Sequence, residues 1–261
     1  MNKFENRNFR DQPLEVLSFG GGVQSTAMLF MIKDGILPLP DVIIHSDTGS
    51  EMDYTHEVIS MAQEIAIDLN IPFIIAKSHR GKLHEYYLSK NSVPVIGVRS
   101  CTKHFKILPQ RRIIRSIVGK GNGKVLARCW LGITTDEARR EIKSDVQWVE
   151  NRFPLLELKY SRKDCIQINK KHTKIEIKKS GCFCCPYGGK KWFIMLYQKY
   201  PELFKKCIEI EQSYQNKYGK ENGLVSNLSN IKNLQIKSIF TFGGEYILPD
   251  ESSCDSGGCF L

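Results

Sequence analysis

The chain has 261 residues, of which 41% are hydrophobic and 25% charged, and its formal net charge is +10. This composition is that of an ordinary globular protein, with enough length for one full hydrophobic core. The sequence contains no apolar run of membrane-spanning length and no signal-peptide core, so we expect a cytoplasmic protein that has no membrane partner.

The chain has nine cysteines, which is not an even number, and we expect it in the cytoplasm. This argues against a disulfide framework and favours metal, redox or packing roles. Lys and Arg recur at residues 103–115 and 159–179, which suits a polyanionic partner such as tRNA or DNA. A merely basic surface, or a pocket for a nucleotide alone, stays an alternative because charge attracts without identifying the ligand.

The first predicted elements are a short buried strand at residues 15–19 and an apolar helix at residues 24–33, separated by three consecutive glycines. Glycines at a strand-to-helix turn let backbone N–H groups approach a phosphate closely, and the helix N-terminus adds about half a positive charge. The stretch therefore predicts a phosphate-binding loop. The alternative is a turn that merely joins strand to helix.

The next elements continue the alternation of strand and helix. Residues 41–47 predict a second buried strand, an apolar stripe between residues 58 and 69 predicts a helix, and residues 71–76 predict a third strand. A β-α-β-α-β order implies a parallel sheet with right-handed crossovers.

The pattern is looser in the rest of the chain. It predicts elements in the following order: a helix at 81–89, an extended loop at 91–99, a basic helix at 107–118, a strand at 124–133, helices at 190–200 and 201–218, and a loop at 216–238. We expect an α/β fold, with a doubly wound, mainly parallel twisted sheet of five or six strands, helices on both faces and a mostly helical C-terminal portion. Residues 1–150 would form the nucleotide-binding domain, and residues 151–261 a basic, Cys-rich portion packed on it.

Two motifs carry a family resemblance. G-G-G-V-Q-S at residues 20–25 resembles the pyrophosphate loop S-G-G-x-D-S of ATP pyrophosphatases, with glycine at the first Ser and Gln24 at the Asp, a replacement also seen among phosphoadenosine-phosphosulfate (PAPS) reductase relatives. Residues 47–55 closely resemble the D-T-G-x-E-x-x-x-T signature of the PAPS reductase family, within the adenine-nucleotide α-hydrolase-like superfamily. For that signature alone, a helix-capping turn is the alternative. The resemblance implies these nucleotide-binding residues: Ser18, Gly20, Gly21, Gly22, Gln24, Ser25, Asp47 and Thr48.

Two later segments extend the resemblance over most of residues 14–190. R-S-C-T-K at residues 99–103 resembles the family segment in which a cysteine precedes a basic, proline-containing helix. Residues 132–140 resemble G-x-R-x-x-E-S-x-R, with Thr134 at the Arg and Ala138 at the Ser. Cationic side chains in these segments suit phosphate or sulfate oxygens, although each taken singly is more often a solvated surface residue. The resemblance implies Asp47, Lys106 and Arg139 as catalytic residues.

The segment C-F-C-C-P at residues 182–186 contains a C-x-x-C pair, which can hold a metal or cluster from a tight turn, although four ligands are normally needed. In cluster-bearing relatives a cysteine before the basic helix joins such a pair. The resemblance therefore implies Cys101, Cys182 and Cys185 as ligands of a [4Fe–4S] cluster. We choose Cys165 as the fourth ligand, because relatives often carry a cysteine before this element.

Several cysteine roles stay open. Cys129 or Cys184 could be the fourth ligand instead, and spacing does not separate a cluster from zinc, since both accept four thiolates. Zinc could join Cys182 and Cys185 to Cys254 and Cys259 of the polar tail, whose two thiols could also form a reversible disulfide. The remaining alternative is that these are small buried residues.

The resemblance implies an ATP pyrophosphatase-like enzyme that binds ATP and Mg²⁺ and transfers AMP to an acceptor. Sulfur transfer to tRNA or DNA, as in tRNA thiolation or DNA phosphorothioation, would follow. One alternative is a reductase of APS or PAPS, although the chain lacks the E-C-G-[IL]-H element of assimilatory reductases. Another is a non-catalytic nucleotide- or nucleic-acid-binding module. The sequence leaves open the acceptor, a sulfur donor protein and a homo-oligomeric state.

Overall fold

The computed structural model of the chain describes residue 4 and residues 7–121 and 123–219. A five-stranded sheet with the order β3-β2-β1-β4-β5 forms its centre, and every neighbouring pair of strands is parallel. The strands are β1 (Leu14–Phe19), β2 (Val42–Asp47), β3 (Phe73–Lys77), β4 (Ala127–Trp130) and β5 (Val149–Arg152). The predicted α/β class with a parallel sheet is confirmed.

Helices cover both faces of the sheet, as predicted. They are α1 (Val23–Lys33), α2 (Asp53–Asp68), α3 (Leu83–Ser89), α4 (Ser100–Thr102), α5 (Leu108–Val118), α6 (Pro154–Glu157), α7 (Arg162–His172), α8 (Gly189–Lys199) and α9 (Pro201–Tyr218). A π-helical turn at Lys103–Ile107 joins α4 to α5, and 3₁₀ turns lie at Thr135–Arg140 and Pro186–Gly188. The basic helix therefore begins earlier than the sequence pattern indicates.

The central strand shows why both faces are buried. Leu17 and Phe19 of β1 pack with residues of α1, α2 and α7, whereas Leu14 and Val16 pack with Ile114 of α5 on the other side. Successive side chains of a strand point to opposite faces, so a strand covered on both faces is apolar almost throughout. This accounts for the apolar run that the sequence shows before the glycines.

A separate hydrophobic cluster lies among α3, α8 and α9. Its buried members include Phe105, Phe183 and Phe193, together with Cys182, Cys184 and Cys207. Cys101 and Cys185 are partly buried against it. The C-terminal portion up to residue 219 is thus mostly helical and bears cysteines, as expected.

Strand β5 and helix α7 have no counterpart in the sequence prediction. Strand β5 contains Glu150, Asn151 and Arg152, and polar residues are tolerated there because β5 lies at the edge of the sheet. Helix α7 begins with a capping box formed by Ser161 and Asp164, a start signal that the prediction did not use. Strand β5 crosses the predicted domain boundary at residue 150, and α7 packs on α1.

The predicted loop at 216–238 overlaps the end of α9, because that helix continues to Tyr218. The rest of that loop, along with Cys254 and Cys259 of the tail, lies outside the described residues. In the part of the chain that the structure describes, no helix combines the length and apolar character needed to cross a bilayer.

Candidate functional site

The order of the strands creates a crevice between β1 and β4. The chain runs from β1 outward to β2 and β3, and then returns to place β4 and β5 on the other side of β1. In open parallel sheets, ligands bind at such a switch point, beyond the carboxyl ends of the strands. Here the glycine loop follows β1, and residues 131–134 follow β4.

Two adjoining cavities occupy this crevice. The larger has a volume of about 370 Å³ and extends from β1 and β2 to the basic helix α5. The smaller, of about 50 Å³, lies against the start of α1. Ser18, Leu131 and Ser180 line both cavities, so one elongated ligand can occupy the two together.

The glycine loop forms one wall of the small cavity. Gly21 has a φ of +70°, a conformation that glycine adopts without strain, and Gly22 caps α1 without a side-chain hydrogen bond. Ser25 Oγ donates to the carbonyl of Gly22 and accepts the N–H of Gly20, at 3.2 and 3.3 Å. The first turn of α1 therefore presents backbone N–H groups and the positive end of its dipole to an anion.

Cationic side chains dominate the small cavity. Arg140, Arg162 and Lys179 line it, against one carboxylate, Glu137. Gln24 lies between opposite charges, since its Nε2 donates to Glu137 at 3.4 Å and its Oε1 accepts from Arg162 at 3.5 Å. The glutamine thus occupies the position of the family's aspartate without adding a negative charge. A cavity with this charge balance suits phosphate groups.

Arg140, and not the predicted Arg139, faces the small cavity. Arg139 is exposed and lines neither cavity, whereas one Arg140 nitrogen, Nη1, is held by Glu137 at 2.5 Å. Its second nitrogen, Nη2, is buried and has no hydrogen-bond partner among the described residues. Counted from Gly132, the last Arg of G-x-R-x-x-E-S-x-R falls on Arg140 and the preceding x on Arg139, so the motif itself favours Arg140 and the choice of Arg139 was one residue off. The 3₁₀ turn at Thr135–Arg140 places the two neighbours on different sides.

Ser180 is a site residue that the sequence analysis missed. Its side chain is 5% exposed, and within the described residues its Oγ has no hydrogen-bond partner. A Cβ placed on Gly22 would come within 2.7 Å of this oxygen, so the hydroxyl lies directly against the glycine loop. A buried hydroxyl without a partner is costly unless a ligand completes its hydrogen bonding.

The large cavity is basic on the side of α4 and α5. Arg99, Lys103 and the predicted Lys106 line it, and so does His45 at the end of β2. Burial lowers the pKa of His45, and its Nδ1 lies 2.9 Å from the carbonyl oxygen of Phe19, so the neutral ring donates this hydrogen bond. Burial raises the pKa of the cavity-lining Cys129 to about 12, which makes it an unreactive thiol.

Asp47 and Thr48 do not line either cavity. Burial raises the pKa of Asp47, but the N–H of Gly49 and the ammonium of Lys77 outweigh it, so the pKa lies below its ordinary value. Thr48 Oγ1 donates to Glu51 at 2.6 Å and contacts Cys182 Sγ at 3.2 Å. Glu51, rather than the predicted pair, reaches the large cavity from this loop.

The same loop supports the cysteine segment. Glu51 and Cys182 form an antiparallel bridge, and the N–H of Phe183 donates to the carbonyl of Ser50 at 2.9 Å. Tyr54 Oη donates to the carbonyl of Lys179 at 3.1 Å. This pairing carries Ser180 to the wall of both cavities and seats Cys182 behind it.

The structure collects most of the predicted metal ligands but not Cys165. Cys101, Cys182 and Cys185 belong to the hydrophobic cluster around α8 and α9. Cys165 is buried on α7, in the other cluster between that helix and α1. Burial raises its pKa to about 12. We therefore discard Cys165 as the fourth ligand.

Cys184 lies closer to the predicted ligands than Cys165 does. Burial raises its pKa well above the ordinary value, and the neighbouring thiols of Cys207, Cys182 and Cys101 raise it further. A set of thiols suits iron–sulfur or zinc binding. Across residues 7–121 and 123–219, however, no group of three or more His, Cys, Asp or Glu side chains is arranged to hold a single metal ion.

Comparisons with known proteins give distant similarities. No family model matches the chain. An uncharacterised protein of Methanocaldococcus jannaschii is 25% identical over 204 residues, which cover 74% of this chain. The chain spans 46% of that relative's length, less than half of it.

Two solved structures are similar to this chain. The PAPS reductase of Candida auris, in a phosphate complex, has 13% identity and a TM-score of 0.44, with 61% of this chain and 72% of that one covered. The U34-tRNA thiolase NcsA of Methanococcus maripaludis, with its [4Fe-4S] cluster, has 14% identity and a TM-score of 0.42, with 87% and 81% covered.

Proposed function

We propose that this chain is an ATP-dependent enzyme of the PP-loop type, which transfers AMP from ATP to an acceptor oxygen and releases pyrophosphate. The observation that carries the proposal is the pair of joined cavities at the switch point of the sheet. The small cavity, with the glycine loop and Arg140, would hold the β- and γ-phosphates. The large cavity, within the usual range for small-molecule pockets, would hold the nucleoside and the acceptor.

In the proposed reaction the acceptor oxygen attacks the α-phosphorus of ATP. The bond from that phosphorus to the bridging oxygen breaks, and pyrophosphate leaves with the electron pair. Arg140, Arg162 and the N-terminus of α1 stabilise the negative charge that develops on the leaving group. Lys106, on the wall of the large cavity, would neutralise the α-phosphate during the attack.

The adenylated oxygen then becomes a good leaving group. We propose that a hydrosulfide-class donor attacks the atom that bears this oxygen, and that AMP leaves with it, so the acceptor exchanges oxygen for sulfur. The basic wall formed by Arg99 and Lys103 favours a tRNA or DNA acceptor. A protein sulfur donor is part of the same proposal.

Mg²⁺ and a [4Fe–4S] cluster are the proposed cofactors. Glu137 is the carboxylate of the small cavity, so the triphosphate and water would supply most of the magnesium ligands. Cys101, Cys182 and Cys185 have the donor chemistry of a cluster site and contact the same hydrophobic cluster, so they are the residues that would hold it. A cluster there would supply redox or sulfur-binding capacity behind the nucleotide site. Zinc is the alternative, and it would require the thiols to move, because no group of three or more such side chains in the described residues is arranged to hold a single metal ion.

The decisive experiment measures pyrophosphate and AMP from ATP in the presence of tRNA or DNA and a sulfide source. We expect both products to depend on ATP and on the nucleic acid. Sulfite release from APS or PAPS with a thiol reductant, without pyrophosphate, would instead support the sulfonucleotide reductase. Nucleotide binding without any turnover would support a non-catalytic module.

A first variant tests the glycine loop. Ser25→Ala removes the hydroxyl that joins Gly20 to Gly22, so we expect ATP to bind about five- to tenfold more weakly. The melting temperature should fall by no more than about 2–4 °C, the shift caused by a loss of about 1 kcal/mol. Isothermal titration and thermal unfolding measure the two effects. Wild-type ATP affinity in this variant would refute the loop assignment.

A second variant tests the hydroxyl of Ser180. Because a hydrogen bond to a charged phosphate is worth about 1.5–3 kcal/mol, Ser180→Ala should weaken ATP binding by about 10- to 100-fold. Thr26→Val is the matched control. Thr26 Oγ1 is also buried without a partner in the described part of the chain, but Thr26 lines neither cavity. Equal ATP affinity in Ser180→Ala and Thr26→Val would show that the Ser180 hydroxyl does not contact ATP.

A further inference from the structure

A groove beside the large cavity combines cationic and aromatic side chains. We call it the arginine–tryptophan groove, and it is lined by Leu108, Arg111, Arg112, Arg115, Val146 and Trp148. The arginines come from α5, and the last two residues come from the segment that leads into β5. Since Ile114 of the same helix is buried in the core, α5 keeps its arginines on the outer side.

Arg115 and Trp148 form a cation–π pair. The guanidinium carbon of Arg115 lies 3.7 Å from the centroid of the Trp148 ring, and Arg115 Nη1 donates to the carbonyl of Gly119 at 2.9 Å. These contacts fix the guanidinium over the aromatic ring. Nucleobases add readily to platforms of this kind, because every base has a flat π face.

The charge of the groove is strongly positive. Its lining residues include three arginines and no carboxylate. The neighbouring Asp145 is bound by Arg111, and Arg112 is exposed and donates to His79. Such a surface attracts the phosphates of a nucleic acid in a salt-dependent way.

The groove also continues into the proposed nucleotide site. Arg111 lines both the groove and the large cavity, and Lys103 and Lys143 line the cavity beside it. A chain of phosphates that follows these cations would bring one nucleotide to the cavity entrance. The groove therefore has the shape and charge of an approach path for a polynucleotide.

We infer that the arginine–tryptophan groove binds a single-stranded segment of nucleic acid, with phosphates on Arg111 and Arg112 and a base stacked on the Arg115–Trp148 pair. Delivery of the acceptor nucleotide to the large cavity rests on the proposed function. Binding of the strand does not.

The test measures the affinity of the full chain for fluorescently labelled single-stranded RNA and DNA at several salt concentrations. Arg112→Glu should weaken binding at least tenfold and lower the salt-dependence slope by about one. Lys205→Glu, an equal reversal of charge at an exposed residue of α9, should change affinity by less than about twofold. Equal losses in both variants would overturn the groove in favour of general attraction.

Trp148→Leu tests stacking separately from charge. We expect about tenfold weaker binding of single strands at an unchanged salt slope, and no change for heparin, a polyanion without bases. An equal loss of affinity for heparin would overturn the single-strand assignment. The same conclusion would follow if a duplex bound more tightly than single strands and its affinity did not change in Trp148→Leu. Thermal unfolding verifies that each variant, Trp148→Leu included, keeps the fold.

ATP titration and pyrophosphate release distinguish this inference from the proposed function. Arg112 lines neither cavity, so Arg112→Glu should bind ATP alone as the wild type does. If the groove binds single strands but no nucleic acid elicits pyrophosphate release, the inferred binding site is supported and the adenylation proposal is refuted. If the wild type releases pyrophosphate and Arg112→Glu binds single strands as the wild type does, the adenylation proposal is supported and the inferred binding site is refuted.

Discussion

Arg140→Ala should lower kcat/KM for ATP-dependent pyrophosphate release by about 100-fold or more, equivalent to about 2.7 kcal/mol of transition-state stabilisation. The reason is the preorganised position of the side chain. Glu137 holds Nη1 at 2.5 Å, and Nη2 is buried at the small cavity with no partner in the described residues. A guanidinium fixed in this way loses little side-chain freedom when it binds a phosphate.

Arg139→Ala is the matched control, because the two arginines are neighbours in one 3₁₀ turn and Arg139 is exposed. Its kcat/KM should stay within about twofold of the wild type. Arg140→Lys keeps the charge but not the planar fork, so it should recover only part of the rate. Steady-state kinetics at saturating acceptor measure all three variants. A larger loss in Arg139→Ala than in Arg140→Ala would reverse the assignment.

Arg140→Ala should remain folded, so the loss reports on the site. The Arg140–Glu137 pair is partly exposed, with side chains 17% and 22% accessible, and Glu137 keeps its contact with Gln24. Water can therefore solvate the carboxylate after the arginine is removed. Circular dichroism and the melting temperature verify this expectation, since a collapse of the fold would lower the affinity for every ligand at once.

The sequence predicted most of the sheet because its inner strands have simple apolar patterns. Buried runs at β1 and β2 stand between clear turn signals, and their order implies parallel pairing. The edge strand β5 was not predicted, because Glu150 and Asn151 give no buried-strand pattern. Its place in the sheet depends on pairing with β4, a contact between segments that are distant in sequence and leave no local signal.

Part of the candidate site was also predictable. Ser18, Gly20, Gly22, Gln24, Ser25 and Lys106 do line the cavities. The family resemblance assigned Asp47 and Thr48 to the nucleotide. In the structure, Asp47 contacts Gly49 and Lys77, and Thr48 contacts Glu51 and Cys182. A motif fixes where the backbone goes, whereas hydrogen bonding with distant segments decides where each side chain points.

Ser180 illustrates the same limit from the opposite side. It lies about 155 residues after the glycine loop in the sequence, in a stretch that was noted only for its cysteines. The contacts of Ser50 and Glu51 with residues 182–183 bring it to Gly22. The D-T-G-S-E stretch thus joins the cysteine segment to the glycine loop, so a change at the cysteines has a direct structural path to the proposed nucleotide site.

The largest expected change in composition is loss of metal from Cys185→Ser. Protein purified without oxygen should contain iron and acid-labile sulfide in near equal amounts, with broad visible absorbance, and the variant should lose most of both. Cys185 suits the test because, like Cys101, it is only partly buried. Cys182 contacts Thr48 and pairs with Glu51, so a change there would also disturb the loop.

Cys165→Ser provides the control for Cys185→Ser. Because Cys165 is packed between α7 and α1, away from the cluster of α8 and α9, this variant should retain its iron. Loss of iron from Cys165→Ser but not from Cys185→Ser would contradict the ligand set proposed here. Stoichiometric zinc without iron in the wild type would indicate that the thiols form a structural zinc site. Adenylation without sulfur transfer would then fit the nucleotide cavities better than sulfur chemistry, because the cavities depend on Arg140 and the glycine loop and not on the metal.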